Sequence, residues 1–207
     1  TVGTNNGVAT AITYVTGGVG KSSVFNSGTS KVDIADSADL SFTDGSDLAF
    51  SISLLFTISV DQKSMFISKR DATFTEYQFG YDSGLNQLQF DIMSGGNTSN
   101  YKRELFTFNP VIGQNYHYVG TYGGSGRQSV YLDGVLQTST ELIVGTYTGM
   151  TNTTAKVRMG KGGWTENSGV WSLDGKLDVV RFWDKELTSA ETLAIATAEL
   201  AGTDINP

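Results

Sequence analysis

Between Phe50 and Val60 the chain alternates. Phe50, Ile52, Leu54, Phe56, Ile58 and Val60 take one parity, and Ser51, Ser53, Leu55, Thr57 and Ser59 the other. Successive side chains of a strand point to opposite faces, so this run predicts an antiparallel strand with one face in a core. The same period recurs at Tyr77, Phe79 and Tyr81, at Leu88, Phe90 and Ile92, at Val157 and Met159, and from Leu177 to Trp183. Asp133-Gly134, flanked by Val130 to Leu132 and by Val135-Leu136, is a two-residue hairpin signal, because these residue types accept the positive φ such a turn needs. Gly pairs at Gly17-Gly18, Gly95-Gly96, Gly123-Gly124 and Gly162-Gly163 read as loops. One helix is expected, over Ser189 to Leu200, where Thr188 and Glu191 make a capping box ahead of an Ala- and Leu-rich run. The chain is thus read as one all-β domain over residues 1–207, most simply a two-sheet antiparallel sandwich with one short C-terminal helix. Residues 1–20 are expected to form an N-terminal arm or an edge strand.

Charge and composition remove several functions. Lys and Arg total 14 against 21 Asp and Glu, a net charge of -7, which argues against nucleic acid or an anionic membrane surface as partner. No apolar run reaches the ~18 residues a membrane span needs, so insertion is not expected. With Cys at 0 there is no disulfide frame, thiolate zinc site or cysteine nucleophile. The single histidine, His117, excludes a multi-histidine metal site. The start at Thr1, without a basic or apolar leader, suggests a processed product, an excised domain or export by another route. Glycoside hydrolysis needs two carboxyl groups aimed into one cleft, and no such alternating pair lies in a predicted strand. Asp184 and Glu186 alternate but fall between the last strand and the helix, where they read as a solvated turn. His117, between Tyr116 and Tyr118, reads as filling a sheet position, with no Gly-x-Ser-x-Gly elbow beside it. Gly120 to Gly126 lacks the Lys-Ser/Thr ending of a phosphate loop. An enzyme is not expected.

Three segments carry a family resemblance. They are Val24-Phe25-Asn26 with Val32-Asp33-Ile34 and Asp39 to Phe42; Tyr116 to Tyr122 with Tyr131 to Leu136; and Leu173 to Trp183 with Leu187 to Glu191. In order and spacing they resemble the laminin-G-like and pentraxin-like branch of the concanavalin A-like lectin/glucanase superfamily, over about Ser22 to Leu200. The resemblance implies a jelly roll of two curved sheets, with ligands, usually glycans, on the concave sheet or the rim loops. It also implies calcium among those loops, held by oxygen donors. The matching donors are Asp71, and Glu166 and Asn167 in the loop Lys161 to Trp171. That loop departs from the family: it carries Lys161-Gly162-Gly163-Trp164 where a denser acidic cluster is usual, and Lys161 would repel a cation. A second calcium, of the structural kind in sandwich carbohydrate-binding modules, would use Asp178 with carbonyls of the N-terminal segment. The alternative is that Asp178 pairs with a nearby Lys or Arg.

Sugar sites pair a flat aromatic with amide and charged groups. Trp164 and Trp171 lie in a Gly-rich polar loop, so their indoles stack on a ligand, pack beneath their own loop or meet another protein. Trp183 ends a strand and reads as core. Tyr101, Lys102 and Arg103 would bind an acidic glycan or line a solvated strand. Asn97-Thr98-Ser99 and Asn152-Thr153-Thr154 fit the N-glycosylation pattern. The expected function is a non-enzymatic carbohydrate-binding or adhesion module, extracellular or on a virion surface. It would recognise a glycan or cell-surface polysaccharide through Trp164, Trp171, Asn167, Tyr101 and Arg103, with calcium as a candidate cofactor. The alternative is a structural or assembly protein of a virion (a phage fibre or decoration protein) or cell surface, with no sugar site. Residues 1–20 would then pair with a neighbouring chain in a homo-oligomer or host assembly.

Overall fold

The computed structural model describes residues 5–96, 98–162 and 171–204. The strands form two antiparallel sheets. The eight-stranded sheet runs β1 (Gly7–Thr10), β4 (Lys31–Ile34), β14 (Val157–Met159), β6 (Ser64–Arg70), β7 (Thr75–Asp82), β8 (Gln87–Met93), β9 (Tyr101–Thr107), β13 (Thr140–Val144). The seven-stranded sheet runs β12 (Val135–Leu136), β11 (Ser129–Leu132), β10 (Asn115–Gly123), β5 (Ala49–Ile58), β15 (Asp174–Trp183), β3 (Lys21–Asn26), β2 (Thr13–Thr16). With the helix α1 (Ser189–Leu200), this is the jelly-roll-like sandwich expected from the sequence.

The inward parity of each strand makes the core. Phe50, Ile52, Leu54, Phe56 and Ile58 meet Tyr77, Phe79, Tyr81, Leu88, Phe90 and Ile92 of the opposite sheet, all buried. Rings cross the gap: Phe79 stands 5.2 Å from Tyr118 of β10 and 4.4 Å from Phe90, centroid to centroid. The positive φ of Asp133 (51°) and Gly134 (79°) makes the tight turn between β11 and β12.

The alternation in β5 misleads in one respect. Its other parity is buried too: Ser51 and Ser53 are fully covered, Leu55 and Thr57 nearly so. A second layer lies on this side of the sheet, the segment Lys185 to Leu187 on β5 and α1 against β10 and β12. Ser51 serves that layer's backbone, and Ser53 the Trp183 indole at the end of β15. Ser51 Oγ donates to the Lys185 carbonyl (2.8 Å) and accepts the Leu187 N–H (2.9 Å). Trp183 Nε1 donates to Ser53 Oγ (3.4 Å).

Trp183 is not in the main core. It is half-buried against a smaller cluster of Val119, Tyr131, Leu187 and Ile195 beneath the helix. The capping box forms as read, with Glu191 N–H on Thr188 Oγ1 (3.3 Å) and Thr188 N–H on Glu191 Oε2 (2.8 Å). At the other end of α1, Glu199 is fully buried, with its Oε2 3.2 Å from His117 Nε2 and its Oε1 3.1 Å from Arg181 Nη1. Residues 7–10 and 13–16 are edge strands of the two sheets in turn, so the N-terminal segment crosses from one sheet to the other. Among the described residues no helix is long and apolar enough to cross a membrane.

Candidate functional site

The helix covers the outside of the seven-stranded sheet. The outside of the eight-stranded sheet carries a groove of about 330 Å³ lined by Met65, Gln78, Gln89, Tyr101, Arg103 and Trp171, among others. Its floor follows from strand register. Gln78, Asp91 and Arg103 are neighbours across β7, β8 and β9, and Gly80 and Gln89 are neighbours in the next outward-facing row.

The first row is a chain of charge-assisted bonds. Arg103 grips Asp91 with both prongs, Nε to Oδ1 at 2.6 Å and Nη2 to Oδ2 at 2.7 Å. Gln78 Nε2 donates to the same Oδ2 (2.6 Å), while its Oε1 accepts from Arg70 Nη1 (3.3 Å). Burial works against the Arg103 charge, but the Asp91 carboxylate outweighs it and the guanidinium pKa rises. At Arg70 burial prevails over the field of Asp91, and its pKa falls. The Tyr101 ring lies under this fork, with the Arg103 Cζ 4.9 Å from its centroid.

The second row holds an indole. A Cβ on Gly80 would come within 3.3 Å of Trp171 Cζ3 and 3.4 Å of Met65 Sδ, so the bare glycine makes the seat on which the ring rests. Lys63 Nζ lies 5.2 Å from the indole centroid and donates to Asp82 Oδ2 (2.9 Å). Trp171 has a left-handed φ of 60°, and its carbonyl accepts the Gly162 N–H (2.9 Å). Beside the seat is Gln89. The residue is 4% exposed, faces the groove and makes no hydrogen bond to any described residue.

Trp171, Tyr101 and Arg103, three of the residues expected to bind ligand, therefore meet in one groove. Lys102 points elsewhere, to the Gly126 carbonyl (2.9 Å) and the Tyr147 ring (4.9 Å). Trp164, Glu166, Asn167 and Asn97 lie outside the described residues. Gln78, Gln89, Asp91 and Gly80 were not anticipated. Their only sequence signal is polar or glycine residues alternating with the core positions of β7 and β8, which marks an outward face but not a covered one.

Of the expected calcium ligands, Asp71 and Asp178 are among the described residues. Asp71 Oδ1 accepts the N–H groups of Thr73 and Phe74 (both 2.7 Å), closing its own turn. The oxygen cluster nearest it in sequence holds an ammonium instead. Lys69 Nζ is surrounded by Asp36, Glu76 Oε1 (3.2 Å) and the carbonyls of Ala155 (2.7 Å) and Thr153 (3.3 Å). Asp178 is on β15 in the other sheet. Its Oδ2 accepts the Val19 N–H of the N-terminal segment (3.0 Å), and its buried Oδ1 has no hydrogen-bond partner among the described residues. Among the described residues no three His, Cys, Asp or Glu side chains gather as a metal site.

The family model of the laminin G type within the concanavalin A-like lectin/glucanase superfamily matches residues 26–192. No curated protein sequence matches the chain. Among solved structures the fold is similar to the binding domain of Paraclostridial Mosquitocidal Protein 1, with TM-score 0.70 and 12% identity over 93% of this chain and 47% of that one. It is also similar to the botulinum neurotoxin serotype D binding domain, with TM-score 0.69 and 12% identity over 95% and 48%. The type G receptor-binding domain follows at TM-score 0.63 and 12% identity over 92% and 45%. The chain thus spans less than half of each of these neighbours, and at such identity the likeness is one of fold.

Proposed function

The chain belongs to the concanavalin A-like lectin/glucanase superfamily, and from that premise we propose that it is a non-enzymatic glycan-binding module, acting outside the cell or on a virion surface. One observation carries the reading: an indole seated on a glycine beside a glutamine amide open to the groove, whose far wall is a Tyr–Arg–Asp stack. A pyranose presents an apolar C–H face and a rim of hydroxyls, and this groove offers the complement of both. Binding rather than hydrolysis is supported by β8. The alternating positions 87, 89 and 91 of its groove face hold Gln, Gln and Asp, and both oxygens of Asp91 are engaged by Arg103 and Gln78. The neighbours of like fold are receptor-binding and other binding domains, which agrees with a cell-surface partner.

The test is a glycan-array screen of the wild type and Trp171→Ala, each with calcium and with a chelator. Binding by the wild type in both conditions, weakened about tenfold (~1.4 kcal/mol) or more in Trp171→Ala at nearly unchanged melting temperature, is the expected result. A large fall in melting temperature would make the indole structural. Binding that the chelator abolishes would move the site to the rim, with Asp71, Glu166 and Asn167 as ligands and Trp164 as the aromatic. No binding at all would refute the module.

A second reading, an assembly protein, is favoured by the N-terminal edges. Val8 in β1 and Tyr14 in β2 are 69% and 58% exposed on strands with one free side. A stable oligomer in solution, lost on deleting residues 1–16, together with a blank array, would support it.

A further inference from the structure

We propose that the groove selects neutral sugars, and that Gln89 is the residue that reads their hydroxyl or acetamido groups. This rests on the glycan-binding reading and narrows its substrate class.

Two cations at the groove already hold a carboxylate. Arg103 spends two donors on Asp91, and Asp91 is fully buried. Lys63 is bound to Asp82 at 2.9 Å. Arg70 is bonded to Gln78 and feels the Asp91 charge. A ligand carboxylate or sulfate drawing Arg103 toward itself would leave a buried aspartate without its guanidinium, an exchange that buried pairs resist. A neutral side chain beside them makes no hydrogen bond to a described residue. Gln89, 96% covered by the 4% exposure above, faces the cavity with an amide that has both an acceptor and two donors. Its amide atoms open to the groove, where water or a ligand group meets them. A hydroxyl, which both donates and accepts, fits it, and so does an acetamido group. Gly80 places this amide next to the Trp171 ring, so a sugar stacked on the indole would present its hydroxyl edge to Gln89. Asp91 and Gln78, one row away, extend the polar floor without offering an uncompensated charge.

The experiment takes the full chain against an array holding neutral hexose and N-acetylhexosamine glycans beside sialylated, uronic-acid and sulfated ones, followed by calorimetry of the strongest binder at 50 and 500 mM NaCl. Neutral glycans are expected to bind with affinity changing less than about twofold across that range, because no exposed charge pair is made. Gln89→Leu is expected to weaken binding about tenfold or more without lowering the melting temperature. Gln89→Glu, which keeps oxygen acceptors and loses the N–H donors, is expected to fall between. Binding confined to acidic glycans, with affinity dropping steeply in salt, would overturn this inference and leave the glycan-binding reading standing. Neutral binding lost in Trp171→Ala but untouched in Gln89→Leu would overturn the role of Gln89 alone. A blank array would overturn the module and this inference together.

Discussion

Replacing Lys69 by Met tests the physical account of the rim most sharply. Lys69 is fully buried, and its ammonium sits among Asp36, Glu76 and two carbonyls. Glu76 is fully buried as well and holds Thr153 through its N–H (2.7 Å) and hydroxyl (2.8 Å). Met fills the volume and removes the charge, leaving Glu76 in a dry site with Thr153 as its remaining partner. Breaking a buried pair from one side costs about 3–5 kcal/mol, which in a domain of this size lowers the melting temperature by roughly 6–20 °C. Burial already raises the Glu76 pKa, and the nearby Lys69 charge restrains that rise. Without Lys69 it rises further. A carboxyl whose folded pKa is raised favours folding when protonated, so its destabilising effect is present at neutral pH and relieved as pH falls through the folded pKa. The deficit of Lys69→Met against wild type in urea unfolding is therefore expected to be large at pH 7 and smaller at pH 5. Adding Glu76→Gln is expected to recover at least half of it, since the double variant has no buried charge to orphan. A deficit under about 1 kcal/mol, or one the second change does not reduce, would refute the reasoning.

Asp33 on β4 is bonded to Arg158 (2.6 and 3.2 Å) and Lys156 (2.9 Å); burial opposes its ionisation, but these cations prevail and hold its carboxyl at about 2. Its stabilising contribution, about 2 kcal/mol, is expected to be present above about pH 4 and lost as pH falls through about 2, so the deficit of Asp33→Asn in thermal melts should be greatest near neutral pH and shrink in acid. Glu199→Ala takes the carboxylate from buried His117 and half-buried Arg181, and is expected to cost about 3 kcal/mol in urea unfolding. Gly134→Val places a branched side chain at φ 79°, where a Cβ would also lie 2.9 Å from the Leu193 Cα; a loss of at least about 2 kcal/mol is expected, and a neutral outcome would contradict the turn geometry.

The sandwich was legible because its determinants are local. Alternation named the inner faces of β5, β7 and β8, Asp133-Gly134 named a turn, and Thr188 with Glu191 named the helix start. The covering of β5 on both faces was not legible, because serine at Ser51 and Ser53 looks the same whether it meets water or the backbone of a second layer. Trp183 went astray for the same reason: a strand-end indole reads as core, and only the helix's docking shows that it belongs to a satellite cluster. In the site, loop composition singled out Trp171, and a polar neighbourhood singled out Tyr101 and Arg103. The groove's floor escaped because its pairs are formed by register between strands. Nothing in a linear reading brings Asp91 to Arg103, or Gly80 under an indole 91 residues further along the sequence. Nor does a linear reading bring Asp36 and two carbonyls from distant segments around Lys69.

The central claim is that a glycan lies on the outer face of β6 to β9 against Trp171. A hydrogen-exchange footprint with the strongest array ligand locates it directly. Slowed exchange is expected in residues 75–93, 101–103 and 171–173, with none in the edge strands β1, β2, β12 and β13. Protection confined to those edges, or to the N-terminal crossing, would contradict the groove and put recognition on the rim of the sandwich.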